Sequence, residues 1–186
     1  MTQRDLPAVR RIERAAYTDA WSRRVFEQEL RNAFAHYFVA ERRPGRDGHG
    51  ERGLVRRMLH RGPAAPIVGF AGVWYMGDQL HIATIAAAPR QQGRGLGARL
   101  LLECFAQAGT AEMQTIALEV RVSNERARRL YERYTFRVAG RLHGYYQDDG
   151  EDALVMVTPV LEGSVLRQVE SLRDRHRERY PDLWDV

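Results

Sequence analysis

Residues 80–108 read LHIATIAAAPRQQGRGLGARLLLECFAQA, and this stretch decides the fold. Leu80 to Ala87 is apolar and fits a strand. Pro89 breaks it, a glycine-rich turn follows over Gln92-Gly93-Arg94-Gly95-Leu96-Gly97, and a helix is predicted from about Gly97 to Ala108. Glycine permits backbone conformations closed to other residues and lets main-chain N–H groups come close to a ligand. A helix start adds unpaired N–H donors and a partial positive charge. Strand, turn and helix start together make a cradle for a pyrophosphate. A P-loop is excluded, because no Gly-Lys-Ser/Thr follows. Glycines at 93, 95 and 97, lying mid-chain, also differ from the Gly-x-Gly-x-x-Gly that follows an early strand in dinucleotide-binding folds.

Upstream, Ile67 to Tyr75 is a second strand, joined to the first through Met76 to Gln79 with Gly77-Asp78 at the hairpin centre. Asp5 to Tyr17 fits a helix, with Asp5 as N-cap, Pro7 in the first turn, and Leu6, Val9, Ile12 and Ala16 on one face. A short helix after Trp21 takes Ser22 as cap and carries Phe26 and Leu30, and Tyr37 to Ala40 begins a strand. Downstream, Thr115 to Val122 is a strand, Asn124 to Tyr134 a helix, and Phe136 to Gly140 and Ala153 to Thr158 are strands. The order implies an α/β fold with a mixed central sheet flanked by helices.

Two segments stand apart. Arg42 to Pro66 holds five Gly, three Pro and seven Arg. That is long for a structureless loop inside a domain, so it reads as a basic insertion. In the tail, Val165, Leu166, Val169 and Leu172 recur at near-helical spacing among arginines, so Ser164 to Arg179 reads as an amphipathic basic helix. A helix of this length needs its apolar stripe buried. We expect it to dock on the domain, where it could close the sheet edge left by the short N-terminus, with Tyr180 to Trp184 as further anchors; the alternatives are that it binds a partner or a second copy of the chain. The chain thus divides into residues 1–160, one domain carrying the 42–66 loop, and an extension over 161–186.

The 186 residues suit one domain, and 44% hydrophobic content suffices for one core. No apolar run reaches a membrane span and the start does not resemble a signal peptide, so a cytoplasmic protein is expected. One cysteine rules out an internal disulfide and a cysteine-built zinc site, and no metal is expected. All 29 basic residues are Arg, and the net charge of +5 favours phosphate-bearing partners, whether a nucleotide cofactor or RNA.

Pro89 followed by Gln92-x-x-Gly-x-Gly resembles the coenzyme A loop of the GNAT superfamily of N-acetyltransferases. Leu118-Glu119-Val120-Arg121-Val122-Ser123-Asn124, then Ala127 and Leu130-Tyr131, is similar to the RimI-type ribosomal-protein alanine N-acetyltransferases within it. Trp21-Ser22 with Phe26, and Tyr145-Tyr146 followed by Glu151-Asp152-Ala153 and Met156, fit the same group. The resemblance covers about Asp5 to Val160, the loop excepted. It implies the GNAT fold, here with an added C-terminal helix, and acetyl-CoA as donor. It implies that backbone amides from Gly93 to Ala98 (Gly93, Arg94, Gly95, Leu96, Gly97 and Ala98), with Gln92, hold the pyrophosphate. Ile85, Ala86 and Ala87 would line the pantetheine arm, and Asn124 would add an amide contact. The acceptor implied is the N-terminus of an Ala-starting ribosomal protein, the eighteenth of the small subunit, with Trp21, Tyr145 and Tyr146 at its site. Three features depart from the family: only four residues precede Asp5, where the family has a short strand; Thr135 stands where the family has Gly before Phe136; and the tail from about Leu161 has no counterpart.

Acetyl transfer to an amine needs the amine neutral, a proton acceptor and a proton for the departing thiolate. An α-amine has a pKa of about 7.8 against about 10.4 for Lys, so it is the easier nucleophile at neutral pH. A nearby carboxylate takes the proton lost on attack. Strand alternation puts Ile116, Leu118, Val120 and Val122 on one face and Glu119 with Arg121 on the other. Glu119 is the candidate base, or else it merely pairs with Arg121. Tyr131 shares a helical stripe with Ala127, Leu130 and Tyr134, which by itself reads as core; the resemblance implies that it is the general acid. Asn124 is also a good N-cap. Cys104 reads as packing, His81 as structural, and His143 as structural or as a lining of the acceptor groove. The acidic, aromatic run from Tyr145 to Asp152 fits a cationic peptide N-terminus. Against N-terminal acetylation stand acetylation of another protein N-terminus, a Lys side chain or a small amine, and, in another class, a non-catalytic RNA- or ribosome-binding module built on Arg42 to Arg61 and the tail. Direct nucleic-acid binding is the weaker reading, and a monomer is expected.

Overall fold

The computed structural model describes residues 1–42 and 66–184. Among the described residues six strands form one sheet: β1 (Ala35–Glu41), β2 (Ile67–Met76), β3 (Gln79–Ala87), β4 (Thr115–Arg121), β5 (Arg137–Leu142) and β6 (Ala153–Val157), in spatial order β1-β2-β3-β4-β6-β5. Among these strands β3 and β4 run parallel, and the other neighbouring pairs are antiparallel. The sheet is mixed, as expected. The β2–β3 hairpin turns at Gly77, whose φ of +62° suits the residue. Among the described residues no strand precedes the first helix, and Met1 donates its terminal ammonium to the Tyr37 carbonyl on the β1 edge, at 2.9 Å.

The helices are α1 (Leu6–Ala16), α2 (Arg23–Glu29), α3 (Leu96–Thr110), α4 (Glu125–Arg133) and α5 (Gly163–Arg179). On one face of the sheet, Leu6, Val9 and Ile12 of α1 and Phe26 of α2 pack with Tyr37, Phe70 and Ala86. The larger core on the other face gathers Leu101, Leu102 and Phe105 of α3, Tyr131 of α4, and Val169 and Leu172 of α5 over Val73, Ile82, Leu118 and Met156. Ser22 caps α2 and Asn124 caps α4, each side-chain oxygen accepting an N–H of the first turn. Asp5 does not cap α1: its carboxylate turns back to the N–H and hydroxyl of Thr2, closing a short 3-10 turn.

The tail departs from the sequence expectation in two ways. α5 docks beside α3 and the glycine turn, not at the β1 edge, because Trp184 lies under Arg99 of α3 and His176 bonds Gly95. Its buried stripe is Val169, Leu172 and His176, while Leu166 stays exposed, since at 3.6 residues per turn Leu166 falls about 90° round the helix from the middle of that stripe. The 42–66 insertion lies outside the described residues except at its ends, where the Arg42 N–H meets the Pro66 carbonyl at 2.9 Å.

Candidate active site

β3 and β4 pair only through Gln79–Ile82 and Thr115–Leu118, yet β3 runs on to Ala87 and β4 to Arg121. The two strands part at the sheet's middle. The parting coincides with a bulge: Ala83 has no partner on β2, where Gly72 faces Thr84 and Val73 faces Ile82. An open cleft of roughly 1800 Å³ lies over the gap. Along its β3 edge the main-chain groups of Ile85 face the gap, and Tyr17 takes both: its hydroxyl donates to the Ile85 carbonyl at 2.8 Å and accepts the Ile85 N–H at 3.2 Å.

Glu119 enters from β4 and lines the cleft, its side chain 19% exposed. It does not pair with Arg121. Its Oε2 lies 3.0 Å from Nε2 of His81 on β3, whose ring stacks on Trp74 at 5.5 Å. His81, read from the sequence as structural, thus lines the cleft in contact with the candidate base. Only the β3–β4 register, which sets His81 beside Ala117, brings it to Glu119.

Tyr131 comes from α4 on the opposite face. Its ring is buried against Phe136, the residue lines the cleft, and its phenol lies near Tyr17, Cys104 and Tyr146 with no hydrogen-bond partner among the described residues. Burial pushes its pKa far above the ordinary phenol value, so it stays protonated at neutral pH.

The glycine turn closes the cleft's far end. Gly95 precedes α3 with φ +83°, Gly93 has φ +79°, and the N–H groups of Gly93, Gly95, Leu96, Gly97 and Ala98 have no main-chain acceptor among the described residues. Gln92, Gly93, Gly95, Gly97, Ala98, Ile85, Ala86, Ala87 and Asn124 line the cleft. The Leu96 side chain instead enters the core, and Arg94 points to solvent, which leaves their main chain alone at the turn.

Trp21 of the α1–α2 loop and Tyr145 and Tyr146 of the β5–β6 loop line the near end. The acids of that second loop are engaged within the fold. Asp148, Asp149 and Glu151 converge on Arg121 at 2.6, 2.8 and 3.0 Å, and Arg121 stacks on Tyr146. The Arg121 guanidinium holds the Asp148 carboxyl down at about 2. Asp152 binds the Gly144 N–H, Arg141 and His143, and His143, held outward there, is not a cleft residue. Glu13 of α1 was also missed. It is 2% exposed, its Oε1 accepts the Trp21 N–H at 3.0 Å, its Oε2 is buried without a partner among the described residues, and burial lifts its pKa to about 7.

A sequence model described as the Acetyltransferase (GNAT) family matches residues 6–136. The chain belongs to the GNAT acetyltransferase family. It is 31% identical over 158 residues to the [Ribosomal protein bS18]-alanine N-acetyltransferase of Escherichia coli, covering 84% of this chain and 92% of that one. It is 32% identical over 144 residues to the N-alpha-acetyltransferase RimI of Mycobacterium tuberculosis, covering 74% and 75%. The crystal structure of the Escherichia coli ribosomal-protein-alanine N-acetyltransferase superposes with a TM-score of 0.67 at 27% identity, covering 88% and 92%. The protein is thus a GNAT acyltransferase, with the mixed sheet and flanking helices of that fold. In this GNAT protein Cys104 lies wholly in the core and burial pushes its thiol up, so it is a packing residue. Among the described residues no helix is long and apolar enough to cross a membrane.

Proposed function

We propose that this GNAT protein moves the acetyl group of acetyl-CoA to the α-amine of an Ala-starting ribosomal protein, by direct attack and in the cytoplasm. The observation that carries the reading is the approach of Glu119 and Tyr131 to one gap from opposite faces of the sheet. Their chemistry fits the two proton movements required. Glu119, braced by His81, accepts the proton that the amine loses on attack. Tyr131, which stays protonated, gives its proton to the thiolate that leaves. The turn fits the donor, since five N–H groups without main-chain acceptors at a helix start suit a pyrophosphate. Gln92 and Asn124 flank that turn, and Ile85 to Ala87 offer a strand edge to the pantetheine amides. For this the Tyr17 hydroxyl must give up Ile85. Trp21, Tyr145 and Tyr146 would shape the acceptor end. The name of the 31% identical Escherichia coli relative favours an N-terminal Ala acceptor, and that of the 32% identical Mycobacterium tuberculosis relative favours an α-amine.

The test is release of free thiol from acetyl-CoA with Ala-, Ser- and Met-starting peptides and an N-blocked peptide bearing Lys. The Ala peptide should be fastest and the blocked peptide inert. Turnover of the blocked peptide alone would make the protein a Lys acetyltransferase, and release with none would leave a binding module.

A further inference from the structure

The tail, which has no counterpart in the family resemblance, reaches the donor end of the cleft. His176 of α5 approaches the Gly95 carbonyl with Nε2 at 2.9 Å, while Trp184 donates its indole N–H to Nδ1 at 2.9 Å. Nδ1 is thus the acceptor and Nε2 carries the hydrogen, so a neutral imidazole fixes the backbone of the turn. The Tyr180 ring covers Gly95 so closely that a Cβ there would stand 2.7 Å from it. Beyond the turn the cleft runs between α4 and α5, and its walls there carry Arg129, Arg133, Arg175 and Arg179. Arg133 and Arg175 both lie close enough to the Tyr134 phenol to offset part of its burial, which places the two helices' cations around one spot. Acids supply less than the cations: Glu125 pairs with Arg129, and Glu178 lines the same end. Arg175 bonds only the Ser171 hydroxyl among the described residues, and Arg179 has no ion pair among them.

We infer that α5 is a wall of the donor site, where Arg175 and Arg179 hold the phosphate on the ribose of the coenzyme's nucleoside end. This rests on the acetyl-CoA reading. With the thioester at the β3–β4 gap and the pyrophosphate on the turn, the remaining phosphorylated nucleoside has to lie past the turn, between α4 and α5. A phosphate monoester carries close to two negative charges at neutral pH, and guanidinium is the side chain best shaped to bind it.

The experiment is calorimetry of the full chain with coenzyme A and with 3′-dephospho-coenzyme A, which differ only in that phosphate. The parent should bind coenzyme A at least about tenfold more tightly, since one charge-assisted contact is worth about that much. In the Arg175→Gln/Arg179→Gln variant the preference should fall to within about threefold, through weaker binding of coenzyme A alone. Arg167→Gln, on the exposed part of α5 away from the cleft, should keep the parent's preference. If the parent binds both equally, or the double variant keeps the preference, the inference is wrong and the acetyl-CoA reading stands. If the double variant binds both ligands more tightly, α5 obstructs the site, and the inference is likewise wrong. If the parent binds neither, both readings fall together.

Discussion

Glu119 and Tyr131 test the chemistry one atom at a time. Tyr131→Phe keeps the ring against Phe136 and removes only the hydroxyl. If that hydroxyl protonates the thiolate, kcat falls by about 10²–10⁴ with the melting temperature unchanged; a fall below threefold at saturating substrates makes Tyr131 core alone. Glu119→Gln keeps a polar partner for His81 and loses the carboxylate. Its rate should fall most below about pH 7.8, where the α-amine is still charged. Superimposable pH–rate profiles for variant and parent would leave Glu119 a purely structural partner of His81. At this scale local periodicity was informative where the partner is the strand's own neighbour. Alternation set Glu119 and Arg121 off the buried face of β4, and they lie there. It said nothing of His81, whose meeting with Glu119 depends on how two strands more than thirty residues apart are aligned. Glu13 was legible and overlooked: it follows Val9 by four positions and Leu6 by seven, so the helical period places it on the buried face.

Strands and helices were read from the sequence to within a few residues of where they lie, because each carries its own apolar period and its own breaker. Turns are less legible, since their backbone strain depends on what packs around them. Gly95 combines a left-handed φ with the Tyr180 ring at its Cβ position, whereas Gly97 has room, with Leu130 at an ordinary 3.5 Å. Gly95→Ala should therefore lower stability by roughly 1–3 kcal/mol as well as weaken coenzyme A binding, and Gly97→Ala should leave the melting temperature nearly unmoved. Equal melts for the two would show that Tyr180 yields without cost. The α4–β5 turn reverses the case. Thr135, at the family's Gly position, has φ +74° and a buried hydroxyl without a partner among the described residues. Thr135→Gly removes both penalties and should stabilise the protein by about 1 kcal/mol; a lower melting temperature would mean that the side chain's packing outweighs its strain.

For the molecule as a whole, two buried titratable groups give stability opposite dependences on pH. His176 is buried between Gly95 and Trp184, and burial, with Arg99 adding to it, lowers its pKa against the opposing bond to the Gly95 carbonyl. The unfolded chain therefore takes up a proton first as pH falls below about 6.5, and the folded state loses stability on the acid side. Glu13 works the other way. Burial raises its pKa from 4.5 to about 7, against the Trp21 N–H and the charges of Arg10 and Arg14. Between those values the folded state holds a proton that the unfolded chain has released, so its contribution is full below pH 4.5 and lost as pH rises through 7. Each slope masks part of the other where they overlap, so the parent's stability alone separates neither. Glu13→Gln removes one slope while keeping an acceptor for the Trp21 N–H. Urea unfolding at pH 5, 6, 7 and 8 should show the variant gaining on the parent as pH rises, by at most about 3 kcal/mol, then levelling once Glu13 is ionised in both states. A constant difference across that range would mean that Glu13 is solvated enough to titrate as it does in the unfolded chain, and that the α1–α2 loop beside the acceptor end is open to water.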